Sequence, residues 1–589
     1  MADFKLPNRP YEQTAEDEDC VRETMREFSE MAIWRNVFAS HFEEVARLIL
    51  PTSRNTFFFQ SFNWPGQKKT EEQIDATGML ALQRFAAICD SLLTPRNMTW
   101  HGLTASDRYV AKQRDVKLWF EEATRTLFQE RYAANANFPG QNHANYEQLG
   151  AFGTHGMFVD DFMDQYGRPN GIRYKSIPLG ELFLKENHQG LIDGFIRWFK
   201  LDALQAYTMF GPERFPIFLY PALKSGSKMT YNFLHRVCPR RDYDPGRYDH
   251  KAMIWRSDYV CVDALALMRE KGYYSFPMAI GRYVQTPNEV YGRSPAMMVL
   301  PALKTLNLEK KVFLKQGHRA ADPILLTADD GMIDGASLRP GAINKGGVNQ
   351  DGKPLVQVLP TGEIQISKEM MQEERSLIND AFLVTLFQIL TESPQMTATE
   401  VIERTNEKGI LLAPTVGRQQ SEYLGPLIDR ELDLLVRQKK LRPMPLELVE
   451  AKGEYEVVYT SPLAKAMRAQ EAAGFQRTVE NVREMVAITG DTSMLDPFDF
   501  DTAIPEIADI QGVPASWMAS PKSIAMKRKN RAAAQQRQEQ IQAAPAMAAQ
   551  AKVQLEAAKV AKLGAGPSPA GGGALQSAPQ GIPQFQTPG

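Results

Sequence analysis

Between Ser294 and Leu390 the sequence changes character twice, and this alternation restricts the fold more than any other feature. Ser294 before Pro295 is an N-cap followed by a proline at the first helical position. Val299, Leu303, Leu306 and Phe313 then form one stripe at helical spacing, which predicts a helix over 294–318. Pro301 should kink that helix or delay its start, and Gly317 is its natural stop. Residues 319–366 are turn chemistry punctuated by Gly331, Gly335, Pro340, Gly341, Gly346, Gly347 and Gly352, with Pro323–Thr327 and Leu355–Leu359 as strand candidates. A second helix is expected over 367–390. Its first half is charged (Lys368, Glu369, Glu373, Glu374, Arg375), and its second half, Ala381–Leu390, is apolar nearly all round, which implies burial on all sides. Two helices thus flank a strand-and-glycine insert.

The preceding chain mixes both periods. Helices are predicted over Tyr11–Leu50, ended by Pro51, over Thr70–Leu93, and over Ser106–Ala134 with Ser106 as N-cap; Met98–Leu103 between the last two reads as extended. From Gly156 to Arg241 the segments Met157–Phe162, Ile172–Ile177, Phe195–Phe199 and Met229–Val237 are short, aromatic or β-branched, and bounded by turn residues, so they read as strands in a mixed α+β body. Beyond the helix pair, a loop at Thr391–Met396 breaks at Pro394, and Thr397 to Glu400 has capping-box spacing. Further helices are expected over Arg418–Lys440, disturbed by Pro426, and around Leu463–Ile488 and Pro521–Lys562. Gly564–Gly589 is Gly, Pro, Ala, Ser and Gln and lacks the apolar content to order itself.

With 589 residues, 43% hydrophobic and 23% charged, the chain suits several domains or one large elongated subunit. Its net charge of -2 argues against a tight non-specific grip on DNA, which phosphate neutralisation would drive. Cys20, Cys89, Cys238 and Cys261 form no CxxC pair and fit a reducing compartment. The acidic start (Glu12, Glu16, Asp17, Glu18, Asp19) has the wrong charge for a targeting signal, and the apolar run Phe382–Leu390 is too short to span a bilayer. A soluble protein made in the cytoplasm is expected.

Several local patterns imitate functional motifs. Gly347 to Lys353 matches GxxxxGK, but Pro354 stands where a phosphate loop needs Ser or Thr, and a strand candidate follows instead of a helix; a glycine hairpin is the better reading. His235, Cys238, His250 and Cys261 lack the tight pairs of a zinc site. Asp496, Asp499 and Asp501 lack the glycine and terminal glutamate of a calcium loop, so capping is expected of them. Lys522, Lys527, Arg528, Lys529 and Arg531 form a basic patch that reads as a solvated helix face or a weak DNA contact, with no interleaved aromatics to stack on bases. No GxSxG, HExxH or kinase signature occurs.

Segments spread in order from Pro51 to Arg483 resemble the podovirus head-to-tail connector (portal protein) family. They are Asp90-Ser-Leu-Leu-Thr-Pro95 before Trp100; Val290-Tyr-Gly-Arg-Ser-Pro-Ala296 with Leu300-Pro-Ala-Leu-Lys-Thr-Leu-Asn307; Thr397-Ala-Thr-Glu-Val-Ile-Glu-Arg404 with Ala413-Pro and Gly417-Arg; Leu427-Ile-Asp-Arg430; and Tyr459-Thr-Ser-Pro-Leu-Ala-Lys465. The resemblance implies a portal-type α+β subunit. Residues 1–293 and 397–460 would make the mixed wing, 294–318 and 367–390 the helical stem, and 319–366 a small β-containing clip. Residues 391–396 would be the tunnel loop, 461–563 a helical crown, and 564–589 a disordered tail. It further implies a dodecameric ring at one capsid vertex, assembled in the host bacterial cytoplasm and passing double-stranded DNA. Partners would be the terminase large subunit, the major capsid and scaffold proteins and the tail adaptor, with no membrane in the assembled head. No catalytic residue, metal or cofactor is expected. The channel candidates are Thr391, Glu392, Ser393, Pro394, Gln395 and Met396 of the loop, with Lys315, Lys368 and Arg375 (and His318) as weak phosphate contacts. The competing classes are another phage structural protein, a scaffold or tail component, and a phage enzyme with an unrecognised site.

Overall fold

Thr14 opens a helix by exchange of hydrogen bonds: its hydroxyl accepts from the Asp17 amide at 3.2 Å while the Asp17 carboxylate accepts the Thr14 amide at 3.0 Å. Helix α1 (Ala15–Leu48) follows, with acids in its first turn and Arg47 in its last, as the helix dipole favours. The computed structural model describes residues 11–58, 66–70, 72–322, 364–385, 414–459, 462–490, 497–511 and 522–538, with short pieces between them. The chain divides into two units, Met1–Ala515 and Ser516–Gly589.

In the first unit, α1 is followed by α2 (Thr77–Leu93), β1 (His101–Ala105), α3 (Arg108–Lys112), α4 (Arg114–Arg131) and α5 (Phe138–Phe152). Two expectations are corrected here. α2 begins at Thr77 and not at Thr70. The helix expected from Ser106 is split in two, because Gln113 adopts extended backbone (φ -70, ψ 132), and its cap is Asp107, whose side chain accepts from the Tyr109 amide. α5 escaped the sequence reading because its buried side mixes polar with apolar residues: Tyr146, Leu149 and Phe152 are buried, and so are Asn142, Asn145 and Gln148. Its polar side chains are satisfied inside, as when Gln148 donates to Ser176 Oγ at 2.9 Å and accepts the Leu179 amide at 2.8 Å.

Three of the four strand candidates of the middle region lie within strands, and the fourth, Met229–Val237, does so from Thr230 onward. β2 (Thr154–Met163) is the centre of a three-stranded sheet, between β3 (Pro169–Ile177) and β9 (Met278–Arg282). β4 (Leu182–Glu186), β5 (Ile192–Asp202), β6 (Thr230–Pro239), β7 (Trp255–Cys261) and β8 (Ala266–Tyr273) form an antiparallel sheet in sequence order. α6 (Ala203–Phe210) and α7 (Tyr220–Ser225) cover part of it, over a cluster of Phe199, Phe210, Phe215, Phe233 and Tyr259. The first half of α1 packs on the same sheet through Val21, Met31, Phe183, Leu234 and Val260. Its second half carries Phe42, Val45 and Ile49 into the main core beside Phe57, Phe85 and Phe152.

Ser294 caps as expected: its hydroxyl accepts from the Met297 amide at 3.0 Å and donates to the Ala151 carbonyl at 2.8 Å. α8 (Pro295–Met298) stops at Val299, and α9 (Leu300–Ala321) starts with Pro301 in its first turn. A proline one turn further in would lose a ladder bond and clash with a carbonyl, so the restart accommodates it. Gly317 does not end α9, which runs on to Ala321; glycine permits a left-handed stop without forcing one, and helix-forming Gln316, Arg319 and Ala320 surround it. Both strand candidates of the insert are present, as β10 (Leu325–Thr327) and β11 (Val356–Val358), paired antiparallel.

α10 (Ile364–Ala381) begins three residues earlier than expected and is interrupted at Phe382–Leu383, where Leu383 takes φ +62. Phe382 and Val384 are both buried though only two residues apart. A single helix face would not bury both, and the interruption lets them share the core. The loop Thr391–Met396 and the capping box at Thr397–Glu400 lie outside the described residues. Residues 414–418 are helical, Gln419–Leu424 form a π turn, and α11 (Gly425–Arg437) continues. Pro426 supplies the disturbance foreseen for it: it has no amide to donate, and the Gly425 amide reaches back five residues to the Gln420 carbonyl. α12 (Leu446–Glu450) and β12 (Tyr455–Tyr459) follow, and β12 pairs with β1, closing a link across the sequence. α13 (Pro462–Thr489) and α14 (Phe500–Gln511) complete this unit. Asp499 caps α14, accepting from the Asp501 amide at 3.0 Å and the Thr502 hydroxyl at 2.6 Å. In the second unit residues 522–538 are helical, and the basic patch lies on that exposed helix. Gly564–Gly589 lies outside the described residues.

Candidate DNA-channel elements and their anchorage

The helix pair α9 and α10 is held from one side. Leu303 and Leu306 of α9 meet Met371, Ile378 and Phe382 in the main core, and the Phe382 ring lies edge-on to Phe85 of α2 at 6.1 Å. Two polar clamps tie both helices to the segment leading into α2. Asn307 accepts the Ile74 amide at 2.8 Å and donates to the Glu72 carbonyl at 3.0 Å. Arg375 donates to Asp75 at 2.7 Å, and Asp75 also accepts the Thr77 amide at 2.9 Å. Burial works to raise the Asp75 carboxyl, but these bonds outweigh it and hold it below the usual aspartate range.

Towards its C-terminal end α9 leaves the core. Leu308, Val312 and Leu314 are exposed, as are Met370 and Leu377 on α10. Lys315 and Lys368 are exposed. Arg375 sits about two turns after Lys368 and is half-buried against Asp75. Glu309 of α9 is shifted upward by burial and by the nearby Glu374 of α10, so two acids face each other across the pair. The loop candidates Thr391, Glu392, Ser393, Pro394, Gln395 and Met396 lie outside the described residues.

The next described stretch of chain, from residue 414, holds an anchor that sequence reasoning missed. Gln419, fully buried, donates to the Arg282 carbonyl at 2.8 Å and lies 3.1 Å from His155 Nε2. Arg282 pairs with Glu422 at 3.0 Å. Farther along, Arg131 and Glu431 form a fully buried ion pair, and Tyr174 donates to the same carboxylate at 2.6 Å. The guanidinium lies 4.6 Å from the Trp100 ring and 4.9 Å from the Phe128 ring. Burial would lower the Arg131 pKa, and the Glu431 charge reverses that shift. No local sequence signal marks a pair 300 residues apart.

Four of the segments that carried the resemblance include joints of the fold, while Thr397–Arg404 lies outside the described residues. Asp90 accepts from Asn142 at 2.8 Å and lies 3.2 Å from His143, fixing α2 to α5. The Tyr291 hydroxyl accepts the Leu184 amide at 3.3 Å, and the Gly292 amide donates to Thr154 at 2.8 Å. Arg430 donates to the Val159 carbonyl and to Ser275, and Tyr459 donates to the Gln420 carbonyl at 2.9 Å. The motif imitations resolve differently. Val348 and Pro354 form an antiparallel bridge, as the hairpin reading expects. His235 bonds to Ser257 and stacks on Tyr259 at 4.0 Å, while His250 lies beside Glu270. Among the described residues, no three His, Cys, Asp or Glu are gathered to hold a metal ion.

The family model for bacteriophage head to tail connecting protein matches residues 22–518. The chain belongs to that family. This connector is similar to a probable portal protein of Bordetella phage BPP-1, 28% identical over 521 residues that make up 86% of this chain and 90% of that one. It is also similar to the portal protein of Salmonella phage epsilon15, 27% identical over 534 residues, 89% of this chain and 92% of that one. Looser likenesses are to chains in the virion of a native gene transfer agent particle (TM-score 0.30, 12% identity, 69% of this chain and 85% of that one) and in the neck of an empty one (TM-score 0.31, 14% identity, 68% and 85%). At those scores they carry no argument. Among the described residues no helix of the connector is long and apolar enough to cross a membrane.

Proposed function

We propose that this connector is the portal subunit of a short-tailed phage: it closes into a ring of about a dozen copies at one capsid vertex, through which double-stranded DNA is packaged and ejected. The observation that carries this reading is the family match over residues 22–518, and the helix pair with its strand-joined insert supports it. In this reading 294–318 and 367–390 are the stem and 319–366 the clip. Residues 391–396 are the tunnel loop, 1–293 and 397–460 the wing, and 461–563 the crown. The exposed Leu308, Val312 and Leu377 of the helix pair meet neighbouring subunits. The clip end receives the terminase large subunit and later the tail adaptor, the wing meets capsid and scaffold proteins, and the chain itself performs no catalysis.

A channel must admit DNA without holding it. With a net charge of -2 the subunit gives no strong phosphate clamp. Lys315 and Lys368 would touch phosphates transiently, whereas Arg375 is engaged by Asp75. The loop Thr391–Met396 has no Lys or Arg and would meet the backbone through hydroxyl and amide groups alone. Native mass measurement with negative-stain microscopy tests the ring; a monomer that persists at high concentration defeats the reading. Replacing Ser393–Gln395 with a shorter glycine link tests the loop. Rings should form normally while packaging or retention of DNA falls, and unimpaired packaging and retention would remove the loop from the DNA path.

A further inference from the structure

Among the described residues β1 is paired on one side only. Its register with β12 matches His101 to Tyr459 and Ala105 to Tyr455, and the Ser106 amide bonds to the Glu454 carbonyl at 3.3 Å. That bond sets the phase of the ladder. Gly102 and Thr104 bond to β12, so the amides and carbonyls of His101, Leu103 and Ala105 face the outer edge. Among the described residues no strand pairs with that edge. Beside it lies a cleft of about 870 Å³, floored by Leu103, Phe120, Phe128 and Tyr132. At Gly102, on its wall, a Cβ would meet nothing within 4 Å. His101 also lines the cleft; it is 1% exposed, packed against Trp100 and Phe128, and neither ring nitrogen has a partner among the described residues. Burial, then the charge of Arg131, push its pKa well below the ordinary range. The neutral ring therefore holds one donor and one acceptor ready.

We propose that this edge and cleft receive an extended peptide segment of a different polypeptide, with alternating apolar and acidic residues, as an added strand. A five-residue strand offers an edge of about 17 Å with alternating donors and acceptors. A peptide backbone meets that pattern, its alternate side chains entering the apolar floor. The rim sets the charge. Arg96 and Arg125 line the cleft and form no ion pair among the described residues, while Lys117 and Glu121 add one charge of each sign. The same charges disfavour a second copy of this chain. The outer strands of its two larger sheets all carry cations (Arg173 and Lys175 on β3, Lys185 on β4, Arg269 and Lys271 on β8, and Arg282 on β9), and β12, which carries Glu456, is already paired with β1 of its own chain.

The test is panning a random decapeptide display library on the assembled full-length protein, with counter-selection on Gly102→Trp, whose side chain takes up the space left open at the cleft wall. Enriched peptides should alternate apolar and acidic residues. They should bind about tenfold or more weakly to Gly102→Trp and to the Arg96→Glu/Arg125→Glu variant; both variants are first shown to assemble to the wild-type mass. Proline scanning of the best peptide should abolish binding at every second position only, because only alternate amides face β1. The proposal is overturned if no peptide distinguishes wild type from Gly102→Trp, if proline is tolerated throughout, or if the enriched peptides match segments of this chain.

Discussion

Glu431→Gln should be among the most destabilising single-atom changes available in this chain. The Glu431 carboxylate is fully buried and receives Arg131 Nε at 3.0 Å, a second bond from the same guanidinium, and the Tyr174 hydroxyl at 2.6 Å. The substitution leaves an uncompensated guanidinium in the core, where losing one member of a buried pair costs about 3–5 kcal/mol. Arg131→Met should cost a similar amount, since it strands the carboxylate. The double variant leaves no lone charge, so its loss should fall short of the sum of the singles by about 2 kcal/mol or more. Trp100 reports the change directly, because the guanidinium lies 4.6 Å from its ring. Urea unfolding followed by tryptophan fluorescence on wild type, both singles and the double gives the cycle. Losses that add within about 0.5 kcal/mol would show that the two groups do not act as a pair, and a single loss below about 1 kcal/mol would refute the desolvation argument.

Arg375→Ala should cost about 1 kcal/mol near neutral pH, discounted because Arg375 is partly exposed. Since Asp75 is held below its usual value, that difference from wild type should persist above the ordinary aspartate pKa and vanish as pH falls through the lowered one, as melting at pH 7 and in acid would check. Gly153 takes φ +73, and a Cβ there would lie 2.6 Å from the Gly292 carbonyl oxygen, so Gly153→Ala should block soluble assembly. Gly317→Ala, in open space inside α9, should instead raise stability by about 0.5–1 kcal/mol in the same denaturation assay. Burial pushes His235 down to about 3 and His155 to about 4. Stability should therefore fall as pH drops from the unfolded imidazole value near 6.5 through those values, and His235→Gln should flatten the slope of the urea midpoint against pH.

The parts of the fold that were legible are those whose pattern is local. The stripe of α9, the Ser294 cap, the paired strands of the insert and the four central strands each follow from residues within one element. What escaped was set by contacts distant in sequence. α5 buries Asn142, Asn145 and Gln148 beside its apolar residues and hence shows no apolar stripe. Gly317 carried a stop signal that the surrounding helix formers override. The apolar run from Ala381 promised one continuous helix, yet the core takes both Phe382 and Val384 and breaks it. Composition could not show either outcome, because a residue's preference for burial says nothing about which neighbours compete for the same space.

The loop proposed for the channel, Thr391–Met396, is marked in the sequence by its flanks and by its lack of Lys and Arg, and lies with those flanks outside the described residues. The structure shows how the nearest described residues on either side are held. On one side Ile378, Phe382 and Val384 are buried to 2% or less. On the other, Gln419 is bonded to the Arg282 carbonyl and lies by His155, while Glu422 pairs with Arg282. Arg282 thus ties β9, Glu186 of β4 and the π turn together. A π turn carries one residue more than an α turn over the same span and often lies at a functional site. Under the portal reading, Gln419 and the turn behind it are among the first described anchors on the C-terminal side of the loop. The segments that carry the family resemblance and are described, at Asp90, Tyr291–Gly292, Arg430 and Tyr459, likewise lie at joints of the body.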